Sequence, residues 1–288
     1  MIEVGPNSYG KSAIRLVKVD RDQAPHRVRD LTIAIALAGD FATSYSEGDN
    51  SAVIATDTMK NTAYALAGEH LTGSIEGYGL VLGRHFLAAG REVDLVKVSI
   101  DAHAWRPIDS APDAFTRDAS ETRKADVSVS RDGFLVEAGI ADLVVMKTTR
   151  SAFAGFPRDR FTTLPETDDR IMATKVTASW GYARDAELDF DAVFDRVRST
   201  FLGAFADHDS ASVQHSIWVI ARAILEAHPE VDDVTMSLPN LHHWTVDLSP
   251  YGIANDREIY VATKEPHGLI EATIRRADIG SVERPGTS

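Results

Sequence analysis

Apolar residues recur along the first half of this chain at the two spacings that define strands and helices. Four segments alternate or run apolar over strand length: 13–19, 31–37, 93–100 and 126–129. Two segments with apolar positions at helical spacing lie between them: 59–71 and 76–89. The pattern therefore predicts two strands, two helices and two strands, in that order.

The second half repeats this order of elements. Its strand-like segments, rich in β-branched residues, are 133–147, 171–180, 234–238, 244–248, 259–262 and 270–274. Two helices are predicted between them. Their inward faces are Phe194, Val197, Phe201 and Phe205 in 190–205, and Ile217, Ile220, Ala221 and Ile224 in 212–227. The repeated order predicts an α+β protein with antiparallel strand pairs and not a doubly wound parallel fold. We place the domain boundary between Asp132 and Gly133, giving domains 1–132 and 133–288.

Composition narrows the class of protein. The 288 residues are 44% hydrophobic and 25% charged, which is typical of a soluble globular protein of one large or two ordinary domains. With no cysteine, disulfides, thiolate metal sites and a cysteine nucleophile are excluded, and a reducing cytoplasm fits. A net charge of −13 argues against nucleic acid and anionic membranes as partners, although a few local cations can still bind a small anion.

Targeting signals are not predicted. The N-terminus lacks a charged region followed by an apolar run, and the longest apolar stretch, 31–38, is too short to cross a bilayer. Residues 284–288 carry no lipidation or peroxisomal address.

Common cofactor motifs are also missing from the sequence. The run from Gly77 to Gly83 imitates a glycine-rich loop, but its third glycine is one position late and it lies inside a helical pattern. Close helix packing is the better interpretation. Neighbouring His242 and His243 point to opposite faces of a strand and cannot easily bind one metal ion. We interpret the other histidines as surface or structural residues.

A dense polar cluster follows a short apolar segment at Thr56, Asp57 and Thr58. All three side chains can cap a helix N-terminus, and the free N–H groups there also suit an anion. Taken alone, the cluster predicts a capped helix.

The long connection 148–170 mixes aromatic residues, glycine, proline and four arginines. Connections of this length are usually functional or disordered, and this one has too many aromatic residues for disorder. Phe153 could stack on a flat ring, and Arg170 could fork onto a carbonyl and an adjacent nitrogen. The alternative is a core phenylalanine and an ion-paired surface arginine.

Three further places offer polar groups. Ser212-Val213-Gln214 begins a helix, so the Val213 N–H is a free donor and the Gln214 amide can both donate and accept. Asn240 and His242 share one face of a strand end. Lys11 precedes the first strand and on its own would be a solvated lysine.

In this order, the polar segments resemble those of the urate oxidases, also called uricases. The matching segments are Tyr9-Gly10-Lys11, Gly39-Asp40-Phe41, Asp49-Asn50-Ser51, 56–62, 153–170, Ser212-Val213-Gln214 and 238–242. The resemblance implies tandem tunnelling-fold (T-fold) domains, and a homotetramer that encloses a tunnel with active sites at subunit interfaces. It also implies oxidation of urate by molecular oxygen to 5-hydroxyisourate and hydrogen peroxide, with no cofactor and no metal. Without the peroxisomal tail, it suggests a bacterial cytoplasmic enzyme.

The resemblance also implies a role for each site residue. Substrate-binding residues would be Thr56, Asp57, Phe153, Leu164, Arg170, Val213, Gln214 and Asn240. Phe153 would stack on urate while Arg170 and Gln214 grip its opposite ends. Lys11, Thr56 and His242 would form a proton relay, and Asn240 would hold oxygen or water above the ring. For Lys11 to accept a proton its amine must be neutral, which burial or a nearby positive charge would favour.

Two alternatives stay open from the sequence. Other T-fold enzymes act on pterins, which they generally anchor with a glutamate, and several use zinc. A non-catalytic purine-binding protein of the same shape is the second alternative, although Lys11, Thr56 and His242 disfavour it.

Overall fold

A computed structural model describes residues 2–109, 111–183 and 188–277. The C-terminal residues 284–288 discussed above lie outside the described residues. The chain divides into two compact units, Met1–Ile140 with Gly181–Asp195, and Ala141–Trp180 with Arg196–Ser288. Strand β5 begins at Gly133, where we predict the domain boundary. The boundary itself stays a prediction.

The first unit contains four consecutive strands that pair antiparallel, with helices packed against them. Its elements are β1 (Ser8–Asp20), β2 (Arg27–Gly39), α1 (Ala42–Ser46), α2 (Thr56–His70), α3 (Ile75–Ala89), β3 (Val93–Pro107) and β4 (Phe115–Ser130). Each strand pairs antiparallel with the next, as predicted for consecutive strands. Helix α3 contacts β3 and β4, and α2 contacts β1.

Alternation along the strands explains this layer. In β2, Leu31, Ile33, Ile35 and Leu37 are all at most 1% exposed, and the residues between them face away from the helices. Helix α3 approaches β4 very closely, because a Cβ atom on Gly79 would lie 2.7 Å from a methyl carbon of a β4 valine. The interpretation of the Gly77–Gly83 run as close helix packing is therefore confirmed.

The later elements follow the predicted order. They are β5 (Gly133–Lys147), β6 (Met172–Tyr182), α4 (Phe190–Asp207), α5 (Val213–Ala227), β7 (Val231–Thr245), a 3-10 helix (Ser249–Tyr251), β8 (Tyr260–Thr263) and β9 (Leu269–Arg275). The predicted inward faces of both long helices are buried. Strand β7 pairs antiparallel with both β8 and β9.

Strand β7 corrects one prediction. The sequence predicts two strands, 234–238 and 244–248, and Pro239 between them cannot donate a hydrogen bond within a sheet. The structure has one strand that continues through Pro239 to Thr245. Pro239 is tolerated because β7 changes partners near it: residues 233–239 pair with β9, and residues 242–245 pair with β8.

Other differences concern element ends. Helix α2 begins three residues before the predicted position 59, β4 begins eleven residues before position 126, and α1 was not predicted. The early part of β4 is polar on both faces, so hydrophobic periodicity could not detect it. No helix in the described residues is long and apolar enough to cross a membrane.

Candidate active site

A cavity of about 200 Å³ lies in the second unit. Five predicted site residues line it together: Phe153, Leu164, Arg170, Asn240 and His242. The other lining residues are Pro165, Thr167, Asp169, Ile171, His243, Trp244, Thr245, Arg257 and Tyr260. The connection 148–170, which the sequence marked as functional, therefore forms one wall, and the end of β7 forms another.

Backbone hydrogen bonds hold this connection in a defined conformation at the cavity. Phe153 exchanges two bonds with Thr167, at 2.8 and 3.0 Å, and the Arg170 N–H donates to the Ser151 carbonyl at 2.7 Å. On the other side, the Ala152 N–H donates to the carbonyl of Ser210 at 2.7 Å. Residues 151–153 thus lie between the segment that carries Arg170 and the residues that precede α5.

Phe153 presents an aromatic surface to the cavity. The ring of Phe156 stacks against it with centroids 4.9 Å apart and an interplanar angle of 15°. The Arg170 Cζ atom lies 5.2 Å from the Phe153 ring centroid, within the range of a cation–π contact. An aromatic ring and a guanidinium are therefore already adjacent at this wall.

Arg170 is a half-buried cation with no counter-ion among the described residues. Among the described residues its guanidinium forms no ion pair, and its buried Nε has no hydrogen-bond acceptor. Burial lowers the pKa of Arg170 from its usual value. Buried guanidinium groups are normally paired. The described residues therefore show Arg170 as half-buried and not as an ion-paired surface arginine, and among them its guanidinium is available to a ligand.

His242 and Asn240 lie on β7 at the opposite wall. The Asn240 N–H donates to the Gly268 carbonyl at 2.8 Å, and its side-chain amide makes no hydrogen bond within the described residues. The His242 ring stacks on Trp244 with centroids 5.1 Å apart. Burial, followed by the charges of Arg170 and His267, lowers the pKa of His242, so its imidazole is neutral at pH 7. The described residues contain no cluster of three or more His, Cys, Asp or Glu side chains that could hold a metal ion.

Val213 and Gln214 begin α5, as predicted, but do not line this cavity. Ser212 is the N-cap, and its hydroxyl accepts a bond from the His215 N–H at 3.1 Å. Because they lie in the first turn, the Val213 and Gln214 N–H groups have no acceptor within the helix. Val213 is buried, and the Gln214 side chain is exposed.

Lys11, Thr56 and Asp57 belong to the first unit. The Tyr9 hydroxyl accepts a hydrogen bond from the Ile54 N–H at 2.8 Å, which ties β1 to the segment just before α2. Lys11 lies within β1 and not before it, so that prediction is wrong, and the β1–β2 register shifts directly after Lys11. Such an irregularity re-aims side chains next to it.

The predicted cap of α2 is not formed. The N-cap is Ala55, with no side-chain hydrogen bond, so the expectation that Thr56, Asp57 or Thr58 caps the helix is wrong. The Asp57 carboxylate instead accepts bonds from Lys60 Nζ at 2.5 Å and Asn61 Nδ2 at 2.9 Å.

These contacts, Lys60 above all, lower the pKa of Asp57, and the charge of Lys11 acts in the same direction. The Thr56 hydroxyl makes no hydrogen bond within the described residues and is free for a ligand.

Sequence reasoning missed several residues of the cavity wall. Arg257 forms ion pairs with Asp169 at 3.6 Å and Asp168 at 4.0 Å. In the β7–β8 pair, Trp244 lies opposite Val261, and Tyr260 lies opposite Thr245. Proximity to Arg170 could have indicated Asp169. Nothing in the sequence pattern indicates Arg257, which lies in the loop before β8 and contacts the 148–170 connection through its ion pairs with Asp168 and Asp169.

Antiparallel sheets carrying paired helices, and a cavity with an aromatic wall and an unpaired guanidinium, define a tandem T-fold protein suited to a flat polar heterocycle. The sequence model named Uricase matches residues 7–128 and 136–271. Uricase of Arthrobacter globiformis is 45% identical over 275 residues, covering 96% of this chain and 90% of that protein. Uricase of Aspergillus flavus is 35% identical over 292 residues, covering 95% and 97%. The crystal structure of the Arthrobacter globiformis enzyme superimposes with a TM-score of 0.95 at 44% identity, covering 99% of this chain and 98% of that one. The chain belongs to the uricase family.

Proposed function

We propose that this protein is a urate oxidase of purine degradation. It converts urate, molecular oxygen and water to 5-hydroxyisourate and hydrogen peroxide, with no cofactor. The observation that carries the proposal is the unpaired, half-buried Arg170 guanidinium beside Phe153, in the cavity of a chain of the uricase family. Acidic side chains are plentiful in a protein with a net charge of −13, yet none of the described ones pairs with this cation, which leaves its charge for a ligand.

Substrate recognition follows from the donors at hand. Urate stacks on the face of Phe153 opposite Phe156, and Arg170 forks onto a carbonyl and the adjacent ring nitrogen. Gln214 and the Val213 N–H bind the far end of the ring, and Leu164 packs against its edge. Both the charge and the bidentate geometry of Arg170 stabilise the negative charge that grows as urate loses a second proton.

Lys11, Thr56 and His242 form the proton relay. The Thr56 hydroxyl takes a proton from urate as it passes its own proton to the Lys11 amine, and the neutral His242 links the chain. Asp57 supports Thr56 from the same turn of α2. The urate dianion then gives one electron to oxygen, which Asn240 holds above the ring, and a peroxide forms at the ring carbon. Water displaces the peroxide, which leaves as hydrogen peroxide.

The assembly completes the site. Lys11 and Thr56 come from the first unit and the cavity from the second. In a homotetramer with a central tunnel, Lys11 and Thr56 of one subunit face the cavity of its neighbour, with active sites at the subunit interfaces. Similarity to the Arthrobacter enzyme and the lack of cysteine support a bacterial cytoplasmic location. A pterin-acting enzyme or a non-catalytic purine-binding protein is not favoured, because the matching family is the uricases.

The Lys11→Met variant tests the relay. It removes the amine while keeping the length of the side chain, so urate should bind with nearly unchanged affinity while turnover falls by about 10²-fold or more. Lys18→Met on the same strand is the control, because Lys18 donates to the Gly68 and Leu71 carbonyls at the end of α2. The control should lose some stability and keep its turnover. Equal turnover in wild type and Lys11→Met would refute the relay.

A further inference from the structure

A buried chain of imidazole and hydroxyl groups lies between the end of α4 and the first turn of α5. His208 Nε2 is 2.8 Å from Ser216 Oγ, which is 2.8 Å from Ser210 Oγ. His208 Nδ1 is 2.7 Å from the Ala204 carbonyl. Ser216 and Ser210 are 0% and 3% exposed, so none of these hydroxyl bonds can be exchanged for bonds to bulk water.

The chemistry of the groups sets the direction of each hydrogen bond. A carbonyl only accepts, so His208 Nδ1 carries the proton and donates to Ala204. Burial first, and then the charges of Lys147 and His215, lower the pKa of His208, which keeps the imidazole neutral and Nε2 an acceptor. The Ser216 hydroxyl therefore donates to His208, and the Ser210 hydroxyl can donate to Ser216. Each hydroxyl has a single proton, so the Ser210 hydroxyl donates either to Ser216 or to the Ser212 carbonyl, and not to both at once.

This chain holds the start of α5. Both hydroxyls are also near the carbonyl of Ser212, the N-cap: Ser210 Oγ at 3.0 Å and Ser216 Oγ at 3.2 Å. Ser210 belongs to the backbone ladder as well, because its N–H donates to the Arg150 carbonyl at 2.9 Å. One set of groups therefore connects α4, the first turn of α5 and the wall that carries Phe153 and Arg170.

We propose that His208, Ser210 and Ser216 are positioning residues for substrate binding. They fix the first turn of α5, so that the Val213 N–H and the Gln214 amide meet the ring held by Phe153 and Arg170. The inference rests on the proposed function, because it assigns Val213 and Gln214 to the substrate. None of the three touches the substrate, and their effect passes through the helix start.

The same helix pair offers a matched control. At the other end of α5, the Thr200 hydroxyl lies 2.9 Å from Nε2 of His228, the C-cap residue. Thr200→Val and Ser216→Ala each remove one hydroxyl from a histidine between α4 and α5. A purely structural role predicts the same behaviour for both variants. A positioning role predicts that only Ser216→Ala, at the substrate end, changes substrate binding.

The experiment measures steady-state kinetics with urate and amide hydrogen exchange over residues 209–218 in both variants. Ser216→Ala should raise KM about three- to tenfold with a smaller change in kcat, and should speed exchange in the first turn of α5 severalfold. Thr200→Val should leave both unchanged while lowering the melting temperature to a similar extent. Ser210→Ala, which keeps the His208–Ser216 bond, should shift KM in the same direction by less.

Two results would overturn the proposal: equal KM values in Ser216→Ala and wild type, or equal exchange of the first turn in the two proteins. The exchange measurement needs no substrate. If the wild-type protein failed to consume urate, the proposed function would fall, and exchange would still decide whether these residues fix the helix start.

Discussion

Replacing Arg170 by methionine should abolish activity without destabilising the protein. The methionine side chain keeps most of the length and apolar contact of the arginine stem but removes the charge and all N–H donors. In the folded protein these donors contribute little to stability, because the buried Nε has no acceptor and the guanidinium forms no ion pair among the described residues. The guanidinium is thus maintained at a cost in stability that only a ligand recovers.

The contacts of Arg170 determine the expected loss in kcat/KM and the expected change in the free energy of unfolding. Two charge-assisted hydrogen bonds to urate contribute about 1.5–2 kcal/mol each, so their loss costs about 3–4 kcal/mol, or about 10²–10³-fold in kcat/KM. For folding, removing the unsatisfied buried donor gains about 1–3 kcal/mol, and losing the contact with Phe153 costs about 0.5–1 kcal/mol. The unfolding free energy of Arg170→Met should therefore be equal to that of wild type or higher by up to about 2.5 kcal/mol.

Arg150→Met is the matched control from the same connection. The Arg150 guanidinium donates to the carbonyls of Ala206 and Asp207, the latter at 3.1 Å, at the C-terminus of α4. Its loss should cost about 1–2 kcal/mol of stability and leave kcat/KM within about twofold of wild type. Urate consumption followed by absorbance gives the kinetics, and urea unfolding gives the stability.

The two variants should therefore show opposite effects. The reasoning would be refuted if Arg170→Met lost 2 kcal/mol or more of stability, since the guanidinium would then be a structural group. Activity within tenfold of wild type in Arg170→Met would equally contradict the proposed role in binding.

Three further predictions concern stability. Gly83→Ala should lower the melting temperature, because its Cβ would collide with a valine side chain of β4, whereas Gly68→Ala, in open space on α2, should raise it through better helix propensity. Arg123→Met should cost about 3–5 kcal/mol in urea unfolding, because it leaves the fully buried Glu76 unpaired, and adding Glu76→Gln should recover part of that loss. Burial lowers the pKa of His228, so its contribution to stability is complete above pH 6.5 and is lost as pH falls through the folded pKa; His228→Gln should flatten the dependence of melting temperature on pH between 5 and 7.

Much of the fold could be predicted from periodicity because its core is strictly alternating or amphipathic. The β2 core residues and the inner faces of α4 and α5 carry strong signals, and the structure buries all of them. Periodicity failed where a tertiary partner overrides the local signal. Strand β7 passes through Pro239 because its partner changes there, and the polar start of β4 is a strand because β3 pairs with it.

The site was predictable to the extent that its residues have unusual local chemistry. Phe153 and Arg170 lie in a connection whose length and aromatic content indicate a functional segment, and both line the cavity. Conversely, Trp244 lies on the strand that pairs with β8 and Arg257 in the loop that leads into β8, and no local pattern indicates that either lines the cavity. The prediction that Thr56 or Asp57 caps the helix was wrong because capping propensity depends on residue type alone. It does not take into account other groups that can bind the same side chain. Here Lys60 and Asn61 bind the Asp57 carboxylate.

Oxygen consumption on addition of urate to purified protein, first shown to be free of metal and flavin, tests the central claim most directly. A cofactor-free urate oxidase should take up oxygen, with loss of the urate absorbance and release of one hydrogen peroxide per urate. A folded, oligomeric protein that binds urate without oxygen uptake, or that acts only after zinc or flavin is restored, would contradict it.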